Sequence, residues 1–283
     1  MKTDRLFAYS PNLKQSWMLQ VRIFVYGLIV YVIARLVFRF IVMFTGISTR
    51  LMSGWKHLAG ELLFFVVSLV IVIRLGKNSK YVPVASPRQS PLLWLLLVPF
   101  TLSIGPATEL LTMWIPKIDI IADFISRSNS RYQFNLPTFL LVVVIAPLSE
   151  EWLHRGIILK GLLTHYSPLK AIIWSSVIFG VMHVDPRLMV YAFCGGLAMG
   201  WVYWRTRSLW CCIFMHAANN VVEFWVIESQ MPRETTLTDL ADGYYISAVA
   251  LLVCALTGMW IKNIMISPAV APDTKGHKSP RPS

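Results

Sequence analysis

Charged residues are scarce in this chain, at 14% of 283 residues, where an ordinary soluble domain carries about a quarter. Acidic residues are the scarcest, with 14 Asp and Glu against 26 Lys and Arg. So few charges cannot cover a soluble globule in which 56% of residues are hydrophobic and the mean hydropathy is +0.59. Cysteine is sparse too. Cys194, Cys211, Cys212 and Cys254 all lie in apolar runs and none forms a C-x-x-C pair, so they read as small core residues rather than disulfides or metal ligands. Disorder, a collagen-like repeat and a disulfide scaffold are excluded by the same composition.

What the chain has instead is long apolar runs. A helix needs about 20 mostly apolar residues to cross the hydrocarbon core. Eight segments approach that length: Trp17–Phe44, Leu58–Leu75, Leu92–Ile115, Thr138–Leu163, Leu169–His183, Leu188–Trp204, Leu209–Ile227 and Tyr245–Ile266. The expected fold is therefore all-α, a polytopic transmembrane bundle of about eight helices. The first run is interrupted by Arg35 and Arg39, one turn apart, and is too long for a cleavable signal. Ile118–Ile125 reads as a short interfacial helix, Ser128–Asn135 as a polar loop, and the Pro-, Ser- and Lys-rich tail 267–283 as disordered and cytoplasmic.

The net charge of +12 would suggest nucleic acid in a soluble protein, but the cations cluster between apolar runs, where membrane topology explains them. With the N-terminus inside, inner segments hold sixteen Lys and Arg and outer segments seven, so the positive-inside rule places both termini in the cytoplasm. The chain is expected in a bacterial inner membrane, in contact with lipid and not with nucleic acid.

A carboxylate at membrane depth is expensive unless paired or hydrated, which makes each one a functional candidate. Glu61 and Glu109 lack an adjacent partner and read as structural or interfacial; Glu223 lies one turn beyond Asn219. Glu150 and Glu151 differ in kind. They are adjacent and about 20 Å of helix beyond Pro137, near mid-membrane. Arg155 follows Glu151 by four residues, on the same face and in the favourable acid-before-base order. Successive helical residues point about 100° apart, so Glu151 can be held by Arg155 while Glu150 points elsewhere. One carboxylate is then structural and the other is available for chemistry. His183 follows Phe179 by four residues, and Asn220 follows His216 by four, each pair on one helical face.

Ser149-Glu150-Glu151-Trp152-Leu153-His154-Arg155-Gly156 resembles the E-E-x-x-x-R motif of the CAAX prenyl endopeptidase and bacteriocin-processing family, also called the Abi family. Phe179-Gly180-Val181-Met182-His183 is similar to its F-x-x-x-H motif, and His216-Ala217-Ala218-Asn219-Asn220 to its H-x-x-x-N motif. The resemblance runs from about Pro137 to Val222; His154 departs from it, standing where an aromatic or aliphatic residue is usual. It implies an intramembrane glutamic peptidase without metal or other cofactor, acting on a peptide or protein, lipid-modified or not. Glu150 and His183 would activate a water, His216 and Asn220 would bind the oxyanion, and Glu151, Arg155 and Phe179 would support the site.

That division makes chemical sense, because hydrolysis needs a base within reach of water and donors aimed at the developing oxyanion. Other intramembrane proteases fit worse: H-E-x-x-H is absent, as is a G-x-S-G motif, and no Asp lies inside an apolar run. A zinc site built from Glu150, His183 and His216 remains chemically open, as does a carrier or a non-catalytic immunity or scaffold protein on the same helices. The expected organisation is N-terminal helices without assignment over 1–136, a catalytic core over 137–228, a last outer loop and helix over 229–266, and the tail.

Overall fold

The computed structural model describes residues 9–45, 53–76, 88–115, 136–183, 185–228 and 243–264. The interfacial helix over 118–125, the loop 128–135 and the tail 267–283 lie outside the described residues, as do the side chains of Arg35 and Glu61. All regular structure among the described residues is helical, in eight segments: α1 Leu13–Thr45, α2 Ser53–Gly76, α3 Pro91–Thr112, α4 Leu136–His165, α5 Pro168–Val181, α6 Pro186–Thr206, α7 Leu209–Glu228 and α8 Gly243–Ile264. Five of them (α1, α2 from Leu58, α3, α4 and α8) are long and apolar enough to cross a membrane, so the chain is an integral membrane protein.

The helix boundaries follow local chemistry. Pro stands at the first position of α3, α5 and α6, where its missing N–H costs nothing. Ser90 caps α3 by accepting from the Leu93 amide at 3.2 Å, and Asp185 caps α6 by accepting from Arg187 and Leu188 at 2.7 and 3.1 Å. Asn12 and Gln15 cap each other's amides at the start of α1. Arg207 ends α6 in the left-handed region, φ 54°, a common way of closing a helix.

Contacts between helix ends show an up-and-down bundle. At one end, Ser10 bonds Thr164 at 3.0 Å, Gln89 reaches the Thr206 carbonyl at 3.2 Å, and Arg205 reaches the Lys262 carbonyl at 3.3 Å. At the other, Arg187 donates to the Ile115 carbonyl at 2.9 Å. Among the described residues the first end carries Lys14, Arg74, Arg88, Lys160, Lys170, Arg205, Arg207 and Lys262.

α4 lies at the centre. Every residue from Trp152 to Leu159 is buried, as expected of a helix surrounded by others. Two stretches of α4, Leu140–Ile145 and Trp152–Leu159, are π-helical, a wide geometry that recurs near functional sites. The two helices of the α5–α6 hairpin pack closely on each other. A Cβ on Gly180 would stand 2.8 Å from the Met189 carbonyl oxygen, and one on Gly196 3.0 Å from the Ser176 Cβ. Gly195, one of the small residues at this helix surface, instead lines a cavity. Gly180→Ala must push α5 from α6 against backbone, and overpacking of this kind costs about 1–3 kcal/mol. A lower melting temperature of the detergent-purified variant is the expected result; unchanged melting would show that the hairpin is looser than these contacts.

Candidate active site

The EExxxR segment sits on the central helix, between its two π-helical stretches. Glu151 and Arg155 have side-chain exposures of 0% and 1%, and Nη1 of Arg155 lies 2.6 Å from Oε1 of Glu151. Two charges this deep are tolerable only when further hydrogen bonds complete their shells. Arg155 Nη2 donates to the Gly196 carbonyl at 3.3 Å, its guanidinium stacks 4.7 Å over the Phe179 ring, and His216 Nδ1 donates to Glu151 Oε1 at 2.8 Å. Glu151 thereby joins α4 to α7 and, through Arg155, to α6.

Glu150 points elsewhere, as its position one residue earlier requires. Its side chain is one-third exposed, and Oε2 lies 3.9 Å from His216 Nε2. His216 is therefore held by one glutamate through Nδ1 and turned toward the other through Nε2. Glu150, His183, His216 and Asn220 all line one cavity of about 190 Å³, with Phe179 in the same wall.

Phe179 is the common surface of this cluster. The rings of His154, His183 and His216 stand edge-on to it at centroid distances of 4.9, 5.2 and 6.0 Å. His183 Nδ1 lies 3.2 Å from the Phe179 carbonyl. A carbonyl can only accept, so Nδ1 carries the proton and Nε2 of the neutral ring keeps its lone pair. His154 follows the same rule, with Nδ1 2.9 Å from the Glu150 carbonyl. Its Nε2 is buried and has no hydrogen-bond partner among the described residues.

His183 reaches the level of Glu150 because α5 is short. Its 14 residues rise about 21 Å, and His183 follows two residues later. Glu150 stands about 22 Å from the same end of α4, fifteen residues before His165. The short α5 thus brings His183 to the level of Glu150, and Asp185 starts α6 directly afterwards.

Several wall residues carry no signal in the three motifs. Thr101 and Ile104 come from α3, in the part of the sequence without assignment, and Leu188, Tyr191, Ala192 and Met199 come from α6. Tyr191 donates to Asn219 Oδ1 at 2.8 Å and packs on Gly105, where a Cβ would meet its hydroxyl at 2.8 Å. Gly105 in mid-helix was the one available hint of that approach. Glu223 lines the cavity and Glu109 does not. Asn220 Nδ2 donates to the Val142 carbonyl at 2.8 Å, a bond from α7 into the first π-helical stretch that the spacing of H-x-x-x-N does not reveal. Among the described residues no group of three or more His, Cys, Asp or Glu side chains is arranged to hold a metal ion.

A polytopic helical membrane protein with glutamate, histidine and asparagine lining one cavity is the class these observations define. Residues 132–222, which carry all three motifs, match the family model described as type II CAAX prenyl endopeptidase Rce1-like. The resemblance read in the sequence therefore holds for this segment. The chain is also 27% identical over 104 residues to a Bacillus subtilis (strain 168) protein named "Putative membrane peptidase YdiL", an alignment covering 35% of this chain and 43% of that one. The chain thus spans less than half the length of that relative. No solved structure matches it significantly.

The ion pair yields a stability prediction. Arg155→Ala leaves the Glu151 charge buried without its cation, which costs about 3–5 kcal/mol, and the folded yield should fall. Adding Glu151→Gln removes the stranded charge and should restore part of that yield. The check is size-exclusion recovery and thermal melting of both variants; equal losses in the single and double variants would contradict the pairing.

Proposed function

We propose that this protein is an intramembrane endopeptidase in which Glu150 activates a water without a metal ion. The observation that carries the reading is the cavity itself, where Glu150 faces His216 Nε2 at 3.9 Å and shares the wall with His183 and Asn220. A CAAX-protease-like membrane peptidase is also what the family match and the named relative suggest. The cation-rich end of the bundle is read as cytoplasmic, in a bacterial inner membrane, following the positive-inside rule.

In this mechanism a water between Glu150 and His183 Nε2 loses its proton to the carboxylate as it attacks the peptide carbonyl. His183 accepts a hydrogen bond from that water through its lone pair, which orients the attacking oxygen. An imidazolium at His216 balances the charge of Glu150, while Arg155 balances Glu151, and the four groups together are then neutral. Its Nε2–H is a donor for the developing oxyanion. Asn220 supplies a second N–H from the amide group that Val142 holds in place. Donors fixed before the reaction stabilise the transition state without reorganising. The proton on Glu150 then passes to the leaving amine.

The reading separates two neighbouring glutamates by role. Glu150→Gln keeps the shape of the side chain but cannot take the proton, so cleavage should vanish while the melting temperature stays near wild type. Comparing the peptides in membranes that hold wild-type protein with those holding this variant tests the loss of cleavage and identifies substrates. Identical peptide patterns would contradict an enzymatic role and favour a scaffold or immunity protein on the same helices.

Asn220→Ala removes one oxyanion donor and should lower turnover about 10²–10³-fold. It also leaves the Val142 carbonyl unpaired, a cost of about 1–3 kcal/mol, so turnover has to be measured per folded molecule. Activity should survive exhaustive chelation. Stoichiometric zinc in active protein, with activity lost on its removal and regained on its return, would overturn the metal-free assignment.

A further inference from the structure

A second concavity lies apart from the catalytic cavity, at the cation-rich end of the bundle between the first turns of α3 and α7. It is an open groove of about 870 Å³ lined by Trp94, Ile213, Phe214 and Trp210, with Arg88 and Gln89 at its rim. Trp94 and Phe214 meet edge-on at 5.4 Å and form its floor, while Trp210 is 67% exposed at its edge. Gln89 is tied down by its bond to the Thr206 carbonyl. Among the described lining residues Arg88 is the charged one, and none is a carboxylate.

We propose that this groove binds an anionic phospholipid, with the acyl chain along the Trp94–Phe214 floor and the headgroup phosphate at Arg88. Three observations converge on that occupant. The groove opens where the membrane interface must fall, because the cations gather at this end and exposed Trp side chains favour that depth. Its volume lies in the range of small-molecule sites, and its apolar floor would otherwise be wetted or left bare. Its rim is positive, with no acidic residue among the described lining, and basic pockets between membrane helices at the cytoplasmic face recognise anionic headgroups.

The groove also backs the catalytic helix. Trp210, Ile213, Phe214 and Ala217 share one face of α7, and His216, Asn219, Asn220 and Glu223 share another, about 120° round at 100° per residue. The lipid thus packs against the helix that carries His216 without touching the cavity.

The test uses the full chain, purified in detergent and stripped of lipid, with melting followed as dioleoyl phosphatidylglycerol or dioleoyl phosphatidylcholine is added. Phosphatidylglycerol should raise the melting temperature saturably and at lower concentration than phosphatidylcholine. That advantage should shrink with added salt. Arg88→Gln should leave melting in detergent alone unchanged and weaken phosphatidylglycerol about five-fold, equivalent to about 1 kcal/mol, abolishing the preference. Trp210→Ala should weaken both lipids alike. Equal response to the two lipids in the wild type, or an unchanged preference in Arg88→Gln, would overturn the proposal. So would displacement of neither lipid by the other but of both by a farnesylated cysteine peptide, which would assign the groove to a substrate instead. None of these readouts depends on peptidase activity.

Discussion

The buried pair of Glu151 and Arg155 is the constraint on which the rest of the site depends. A carboxylate with no exposed surface in the middle of a membrane bundle is affordable only next to its cation, and here that cation lies one turn away on the same helix. The pair then sets three further positions. Arg155 stacks on Phe179 and bonds the Gly196 carbonyl, fixing α5 and α6, and Glu151 takes the Nδ1 proton of His216, fixing α7. Once those contacts are made, His216 can turn only one nitrogen to the cavity, and it meets Glu150 there.

The adjacent Glu150 and Glu151 therefore occupy two different settings rather than one duplicated position. One residue faces inward to the ion pair and the other, about 100° round the helix, faces the cavity. The inward carboxylate is already engaged by Arg155 and His216. The partly exposed neighbour lies 3.9 Å from His216 Nε2 and lines the cavity. The π-helical stretches on either side of this dipeptide widen α4, and one of them offers the Val142 carbonyl that holds Asn220.

Much of this was legible in the sequence because lipid makes the signals coarse. Apolar runs bounded by Pro, Ser and Asp fall within a few residues of the observed helices: Leu209–Ile227 became Leu209–Glu228, and Leu92–Ile115 became Pro91–Thr112. The i to i+4 spacings placed Arg155 on Glu151 and put His216 and Asn220 on one cavity wall. What the sequence does not carry is the distance between helices. The second partner of Glu151, the bond from Asn220 to Val142 and the approach of Tyr191 to Gly105 all cross from one helix to another. The depth of His183 was hidden for a related reason. It depends on how far α5 rises before turning, and a single run of apolar residues ending in His183 does not show that the helix stops short. Thr101 and Ile104 were invisible as site residues because they are ordinary residues of an apolar helix, given meaning only by α3 packing against α6 and α7.

The central claim is that a water held by Glu150 attacks the peptide bond directly, with no covalent intermediate on the carboxylate. The most direct measurement is a single turnover by purified protein in ¹⁸O-labelled water, using a peptide found to accumulate in the Glu150→Gln membranes. The account predicts that the new carboxylate of the product carries the label in that first turnover and that Glu150 does not. Unlabelled first product, with the label appearing in the Glu150 side chain, would contradict it and make that glutamate a nucleophile.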